Sequence, residues 1–68
     1  MKYAISFQSK TDSNNTGYFF RNRKVGFTGV NNLTMARKFK TESEAIRVLT
    51  NLESREGEWY FFELNEVA

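Results

Sequence analysis

The stretch Thr41–Gly57, TESEAIRVLTNLESREG, carries the clearest structural signal in the chain. Thr41 and Glu44 have the spacing of a capping box, in which the threonine hydroxyl accepts a hydrogen bond from the amide at position 44 and the glutamate reaches back to the amide of Thr41. Apolar residues then recur at spacings of three and four, as on the buried face of a helix: Ala45, Ile46, Val48, Leu49 and Leu52. We predict a helix over Glu42–Glu56 that ends at Gly57 in a left-handed conformation.

Extended segments flank this helix on both sides. Lys2–Gln8 has a large apolar residue at every second position, which is typical of a half-buried strand. Gly17–Val30 contains two strand-forming runs separated by the basic turn RNRK, and this pattern predicts a β-hairpin. Ala36–Lys40 fits a short strand, a helical turn or extended chain. After Gly57, EWYFFELNEV alternates again. The order β-β-β-α-β predicts an α+β fold, a mainly antiparallel sheet with one helix packed on one face.

The composition limits what can hold so small a chain together. Its 68 residues indicate one small domain, residues 1–68, without cysteine or histidine, so neither disulfides nor the usual zinc ligands contribute. Aromatic residues make up 16% of the chain and must supply most of the core. No run approaches the roughly 20 apolar residues of a membrane helix, and the N-terminus lacks the apolar stretch of a signal peptide. We therefore expect a soluble intracellular protein with no membrane partner.

Charge is distributed unevenly along the chain. Residues 1–40 hold eight basic residues against one aspartate (+7), and residues 41–68 hold two against seven glutamates (−5), which gives the overall +2. Six basic residues lie in a region without acids: Arg21, Arg23, Lys24, Arg37, Lys38 and Lys40. If they lie on one side they form a continuous positive patch. Alternatively, the two halves fold together and pair their charges, or the basic turn serves to protect an edge strand.

No pattern in the sequence is typical of a catalytic or cofactor site. Without His or Cys, the candidate groups are carboxylates, lysines and hydroxyls, and the glutamates lie where a solvated charged surface is expected. The four glycines do not form a phosphate-binding motif. We predict no enzymatic activity, no cofactor and no metal.

The consecutive aromatics YFF (Tyr18–Phe20) and WYFF (Trp59–Phe62) must send side chains to both faces of their strands. Because one helix covers one face, at least two of these seven rings are expected on the uncovered side. There they form either a small cluster under Lys and Arg stems or an exposed apolar area of the kind that marks a partner site. The candidate contact residues are the six basic residues above together with Tyr18, Phe20, Trp59 and Phe61.

The segment ARKFKTESEAIRVL (Ala36–Leu49) resembles small uncharacterised phage and prophage proteins, in which an Ala-x-x-Phe-x-Thr-x-x-Glu-Ala segment opens the only helix after a hairpin. The matching residues are Ala36, Phe39, Thr41, Glu44 and Ala45. The resemblance covers 14 of 68 residues and reflects a capped helix with an apolar anchor before it. Small phage proteins often bind and block a host or competing protein, anti-CRISPR factors among them. The resemblance therefore implies such a role in the cytoplasm of a bacterial host.

Three functional hypotheses follow. The leading one is a non-enzymatic binding protein that contacts a protein partner with an acidic surface and inhibits a host defence or nucleic-acid-processing machine. Its charges would steer the partner and its aromatics would form the desolvated centre. The alternative is low-specificity binding of single-stranded nucleic acid by the basic hairpin and the sheet aromatics, although the RNP-type aromatic motif is missing. The third is a homodimer that hides its aromatic sheet face.

Overall fold

Four antiparallel strands form one sheet, and a single helix packs on one of its faces. The structure, a computed structural model, describes residues 1–67. Its elements are β1 (Lys2–Ser9), β2 (Thr16–Asn22), β3 (Phe27–Val30), a 3-10 helix (Leu33–Met35), α1 (Glu42–Glu56) and β4 (Tyr60–Val67). The strand order is β3-β2-β1-β4. The predicted α+β fold and the order β-β-β-α-β are therefore confirmed. No helix in the described part of the chain is long and apolar enough to cross a membrane.

Strand β1 lies in the middle of the sheet, where it pairs with β4 along its whole length. The register runs without a shift from Lys2 opposite Val67 to Ser9 opposite Tyr60. Strand β2 pairs with β1 only at its start, and Tyr18 lies opposite Ser6. The period-two pattern of the N-terminal segment thus corresponds to a strand whose alternate side chains face α1.

Beyond that point β1 and β2 separate, and the segment Ala36–Lys40 lies between them. Phe39 and Tyr3 exchange two backbone hydrogen bonds of 2.8 and 3.0 Å, and the N–H of Arg37 donates to the carbonyl of Phe19 at 3.1 Å. Of the three conformations that the sequence left open, the chain adopts an extended one that bonds to both neighbours.

The core is built largely from aromatic rings. Phe19 and Phe39 are fully buried against residues of β1 and α1, with ring centroids 6.5 Å apart. The Phe27 ring lies 5.2 Å from Tyr60 and 5.6 Å from Phe62. Phe27 belongs to the edge strand β3, whereas Tyr60 and Phe62 belong to the opposite edge strand, β4. In a flat sheet these two strands would be roughly 14 Å apart, which is three strand spacings of about 4.8 Å. The sheet is therefore strongly curled toward the side that carries α1.

The ends of α1 agree with the sequence at one terminus and differ at the other. The Thr41 hydroxyl accepts a hydrogen bond from the Glu44 N–H at 3.2 Å, which confirms the predicted N-cap, whereas within residues 1–67 the Glu44 carboxylate makes no reciprocal bond to the Thr41 N–H. Gly57 is right-handed, with φ −64° and ψ −18°, so the predicted left-handed C-cap is wrong. The physical reason is that the helix leads directly into a turn closed by the Trp59 N–H and the Glu56 carbonyl at 3.0 Å. This turn needs no positive φ before β4 begins.

Candidate functional site

The sheet face opposite α1, here called the open face, carries several of the predicted contact residues. Alternation along β2 and β4 directs Tyr18 and Phe61 away from the buried ring of Phe19, and Phe20 lies at the register shift between Phe19 and Arg21, where its ring is next to the Arg21 guanidinium. Phe20 is 40% exposed, Trp59 57% and Phe61 61%, whereas Tyr18 is half-buried. The expectation that at least two strand rings remain uncovered is therefore confirmed.

Cationic side chains lie beside two of these exposed rings. The Lys10 ammonium is 4.9 Å from the centroid of the Phe61 ring, and the Arg21 guanidinium is 5.9 Å from that of Phe20. Both distances fall within the range of about 6 Å for a cation–π contact. The two arrangements that the sequence left open are thus combined, because the rings have cationic neighbours and still remain exposed.

Lys10 is a residue that the sequence analysis did not select. It lies one residue beyond β1, and its N–H donates to the Trp59 carbonyl at 3.0 Å, which extends the β1–β4 pairing and brings Lys10 next to the exposed rings. No local pattern links positions 10 and 61, so only the strand register reveals this contact.

The open face is divided by the central strand into two aromatic areas. Phe61 of β4 lies opposite Gln8, and Tyr18 of β2 lies opposite Ser6, so polar side chains of β1 separate them. A shallow depression of about 170 Å³ in this region has Ser6, Gln8, Phe61 and Glu63 in its lining. Typical small-molecule pockets measure roughly 300–1,000 Å³. The shape therefore suits the surface of a larger partner better than a whole small ligand.

The basic hairpin, defined by Arg21, Arg23 and Lys24, is exposed throughout. Its turn is closed by the N–H of Arg23, which donates to the Gly26 carbonyl at 3.1 Å, and Gly26 takes a φ of 77°. This is the left-handed region that glycine enters without strain. At the tip, Val25 is 87% exposed, an apolar residue directly after Lys24 that was not among the predicted contact residues. Its position in the predicted turn, within NRKVG (Asn22–Gly26), already indicated that its side chain would be exposed.

The basic segment, defined by Arg37, Lys38 and Lys40, does not act as one surface. The Lys38 ammonium donates to the carbonyls of Leu33 at 2.6 Å, Ala36 at 3.0 Å and Thr34 at 3.3 Å. These bonds stabilise the end of the 3-10 helix and leave the Lys38 ammonium less available to a partner. Arg37 and Lys40 remain exposed, and the Arg37 guanidinium lies 5.1 Å from the Phe39 ring.

The structure brings the basic segment and the basic hairpin to the same strand. The backbone bond between Arg37 and Phe19 places the segment beside β2, two residues before Arg21. The β4 half of the open face carries both signs of charge, because Glu63 projects from it and the Lys10 ammonium lies over the Phe61 ring. The open face thus has a basic aromatic half on β2 and an aromatic half of mixed charge on β4.

Within residues 1–67 there is no group of three or more His, Cys, Asp or Glu side chains that could hold a metal ion. No family model matches the sequence, and no curated protein or solved structure matches it either. Any function proposed for this chain therefore depends on the arrangement of its own side chains.

Proposed function

We propose that this chain is a non-enzymatic binding protein that acts through protein–protein contact, with an acidic surface as its partner. The observation that carries the proposal is the exposure of Phe20 and Phe61 on a sheet face that α1 leaves uncovered, with Arg21 and Lys10 beside these two rings and exposed Trp59 in the turn before β4. Aromatic and arginine side chains are the residue types enriched at the energetic centres of protein interfaces.

The exposed rings can provide the desolvated centre of an interface but not the whole of it. At roughly 150–250 Å² per side chain, the exposed fractions of the three rings sum to roughly 300 Å². Burying that area is worth about 7 kcal/mol at about 25 cal/mol per Å². Association itself costs an estimated 4–15 kcal/mol, and a standard interface covers about 800 Å² per partner. The rings therefore offset much of the cost of association, and the surrounding charges decide which partner is accepted.

The free cations favour an acidic partner surface. Five predicted contact residues have exposed side chains: Arg21, Arg23 and Lys24 on the β2–β3 hairpin, and Arg37 and Lys40 in the segment that bonds to β2. The positive electrostatic field of these side chains accelerates encounter with a negatively charged surface and orients that surface as it binds. We propose, in line with the phage resemblance of Ala36–Leu49, that the partner belongs to a host defence or nucleic-acid-processing machine, which this chain inhibits by occupying its surface.

A pull-down from bacterial lysate tests this proposal. The test variant is Arg21→Glu with Lys24→Glu, and the control is Lys2→Glu with Arg47→Glu, because all four side chains are exposed and both changes take the net charge from +2 to −2. We expect the wild type and the control to capture the same acidic-surfaced partner and the test variant to lose it. Equal capture by both variants would contradict a role for the basic hairpin.

Single-stranded nucleic acid is the alternative partner. The pairing of Arg21 with Phe20, and of Lys10 with Phe61, supports this alternative because such proteins combine stacking rings with phosphate-binding cations. The carboxylates of Glu58 and Glu63 oppose it, since they repel phosphates next to the most exposed rings. Binding of oligo(dT) and oligo(U) should weaken linearly in log–log form with salt, with a slope of about −3 for four neutralised phosphates. No binding at low salt to either oligonucleotide would eliminate this alternative.

A homodimer that hides the open face is the third candidate. It would bury the same rings and would make them unavailable to a partner of another kind. Sedimentation equilibrium over a wide concentration range separates the cases, because a monomer at the highest concentration eliminates the homodimer.

A further inference from the structure

The two edges of the sheet are protected to very different degrees. β3 forms one edge with four residues, and the β2–β3 register shifts between Phe19 and Arg21. β4 forms the other edge with eight residues that pair in unbroken register with β1. Proteins usually protect an exposed edge with a short strand, a bulge, a proline or charged side chains, lysine above all. β3 has the first two features, whereas β4 is long and regular and has only the charges of Glu63 and Glu66.

The backbone groups on the outer side of β4 can be identified from the hydrogen bonds on its inner side. In an antiparallel pair, residues alternately direct both backbone groups toward the partner strand and away from it. Lys10 donates to the carbonyl of Trp59, so the odd-numbered residues of β4 face β1. The N–H and C=O groups of the even-numbered residues point outward: Tyr60, Phe62, Leu64 and Glu66. No strand pairs with this side among residues 1–67.

The same alternation in β1 supports this assignment. Odd-numbered residues of β1 bond away from β4, since the N–H of Tyr3 donates to the Phe39 carbonyl at 3.0 Å and that of Ser9 to the Asn15 carbonyl at 2.9 Å. Its even-numbered residues therefore face β4, as the assignment requires.

We propose that the outer edge of β4 is a second binding site, one that accepts an extended basic segment of a partner protein as an added antiparallel strand. Main-chain hydrogen bonds supply the affinity in this mode of recognition, and side-chain pairs across the strands supply the specificity. The site is separate from the basic hairpin and does not depend on the function proposed above.

The side chains of β4 indicate the chemistry of the added strand. Glu63 projects from the open face and Glu66 from the helix side, and both are exposed. Phe61, exposed on the open face, leaves an apolar position between these charges and the start of the strand. An added strand should therefore oppose each glutamate with a cation and Phe61 with an apolar residue. A second copy of β4 fits less well, because it contains no basic residue to oppose Glu63 or Glu66.

The test uses an acetylated and amidated peptide, Lys-Thr-Val-Lys-Val-Ile-Thr. In antiparallel register its two lysines oppose Glu66 and Glu63, its isoleucine opposes Phe61, and its valines oppose Leu64 and Phe62. When the peptide is titrated into the protein, the amide NMR signals of residues 60–66 should shift, and hydrogen exchange at the four outward amides should slow. N-methylation of both valines removes donors aimed at β4 and should weaken binding about tenfold or more. N-methylation of the central lysine and the isoleucine, whose amides point away, should change affinity less than about threefold.

Two protein variants provide an independent test. Glu66→Pro removes an outward N–H and leaves the β1 ladder intact, since proline is tolerated on an edge when its nitrogen faces solvent. Glu66→Ala removes the charge and keeps that donor, so the proline variant should bind the peptide more weakly than the alanine variant. If the proline variant fails to fold, the N-methylated pair alone decides the outcome.

Each of the following results would overturn the proposal: no binding of the unmodified peptide, equal weakening by the two N-methylated peptides, or shifts confined to β2 and β3. Protection of the outward amides in the free protein together with dimerisation would also overturn it, because a second copy would then occupy the edge.

Discussion

Replacing Gly29 with alanine should destabilise the protein because the Phe7 ring occupies the space that a side chain would need. A Cβ at this position would lie 2.5 Å from both Cε2 and Cζ of Phe7. The ring has little room to move, since Phe7 is 9% exposed and packs edge-on against Phe27 at 5.0 Å and Tyr60 at 5.7 Å. The backbone itself tolerates alanine, because the only positive φ in the described chain is at Gly26.

The expected loss is about 1–2 kcal/mol. Overpacking a filled core costs about 1–3 kcal/mol, and the lower flexibility of the unfolded chain with alanine returns about 0.4–1 kcal/mol. The free energy of unfolding of a 68-residue protein is about 3–10 kcal/mol at about 0.05–0.15 kcal/mol per residue. At roughly 4–8 °C per kcal/mol, Tm should fall by about 5–15 °C.

Thermal and urea unfolding of a double-mutant cycle would measure this effect. In a Phe7→Leu background the ring is absent, so Gly29→Ala should cost close to nothing, which corresponds to a coupling energy of about 1 kcal/mol or more. An unchanged Tm for Gly29→Ala, or the same cost in both backgrounds, would refute the contact between the Phe7 ring and Gly29.

Three further outcomes are expected. Thr41→Ala should lower the free energy of unfolding by about 1 kcal/mol in urea titrations, because it leaves the Glu44 amide without its acceptor. Thr41→Ser keeps the hydroxyl and should retain most of this stabilisation. Lys38→Met should destabilise by about 1 kcal/mol by losing its carbonyl contacts, while Lys40→Met, exposed and without such contacts in the described chain, should stay within about 0.5 kcal/mol in the same titrations. Phe61→Ser should leave Tm nearly unchanged and abolish capture of the partner in the pull-down, and a large loss of Tm with normal capture would contradict the role of the open face.

Local signals were sufficient to predict the elements of this fold. Three of these signals depend only on neighbours within a few residues: the Thr41 cap, the helical spacing behind it and the alternation of Lys2–Gln8. The structure has all three. The exposure of Phe61 followed from the same reasoning, because strand side chains must alternate and one helix covers one face.

What the sequence did not predict depends on contacts between distant residues. The pairing of Phe39 with Tyr3 decides the conformation of Ala36–Lys40, and no pattern within that segment indicates it. Lys38 is committed to carbonyls of the preceding 3-10 helix, so a charge that resembled a contact residue has a local bonding role. The place of Lys10 beside Phe61 likewise follows from the register of two strands that are far apart in the chain.

The pairing of β1 with β4 also affects how the chain reaches its native state. Partners in this ladder are separated by 51 positions at Ser9 and Tyr60 (60 − 9) and by 65 at Lys2 and Val67 (67 − 2). A ribosome therefore releases β1 long before its neighbour exists, and until then that strand exposes an unsatisfied side. Such distant closure slows folding relative to proteins with local contacts. The sheet can therefore be completed only after β4 has been synthesised, and the net charge of +7 on residues 1–40 favours a dispersed chain until then.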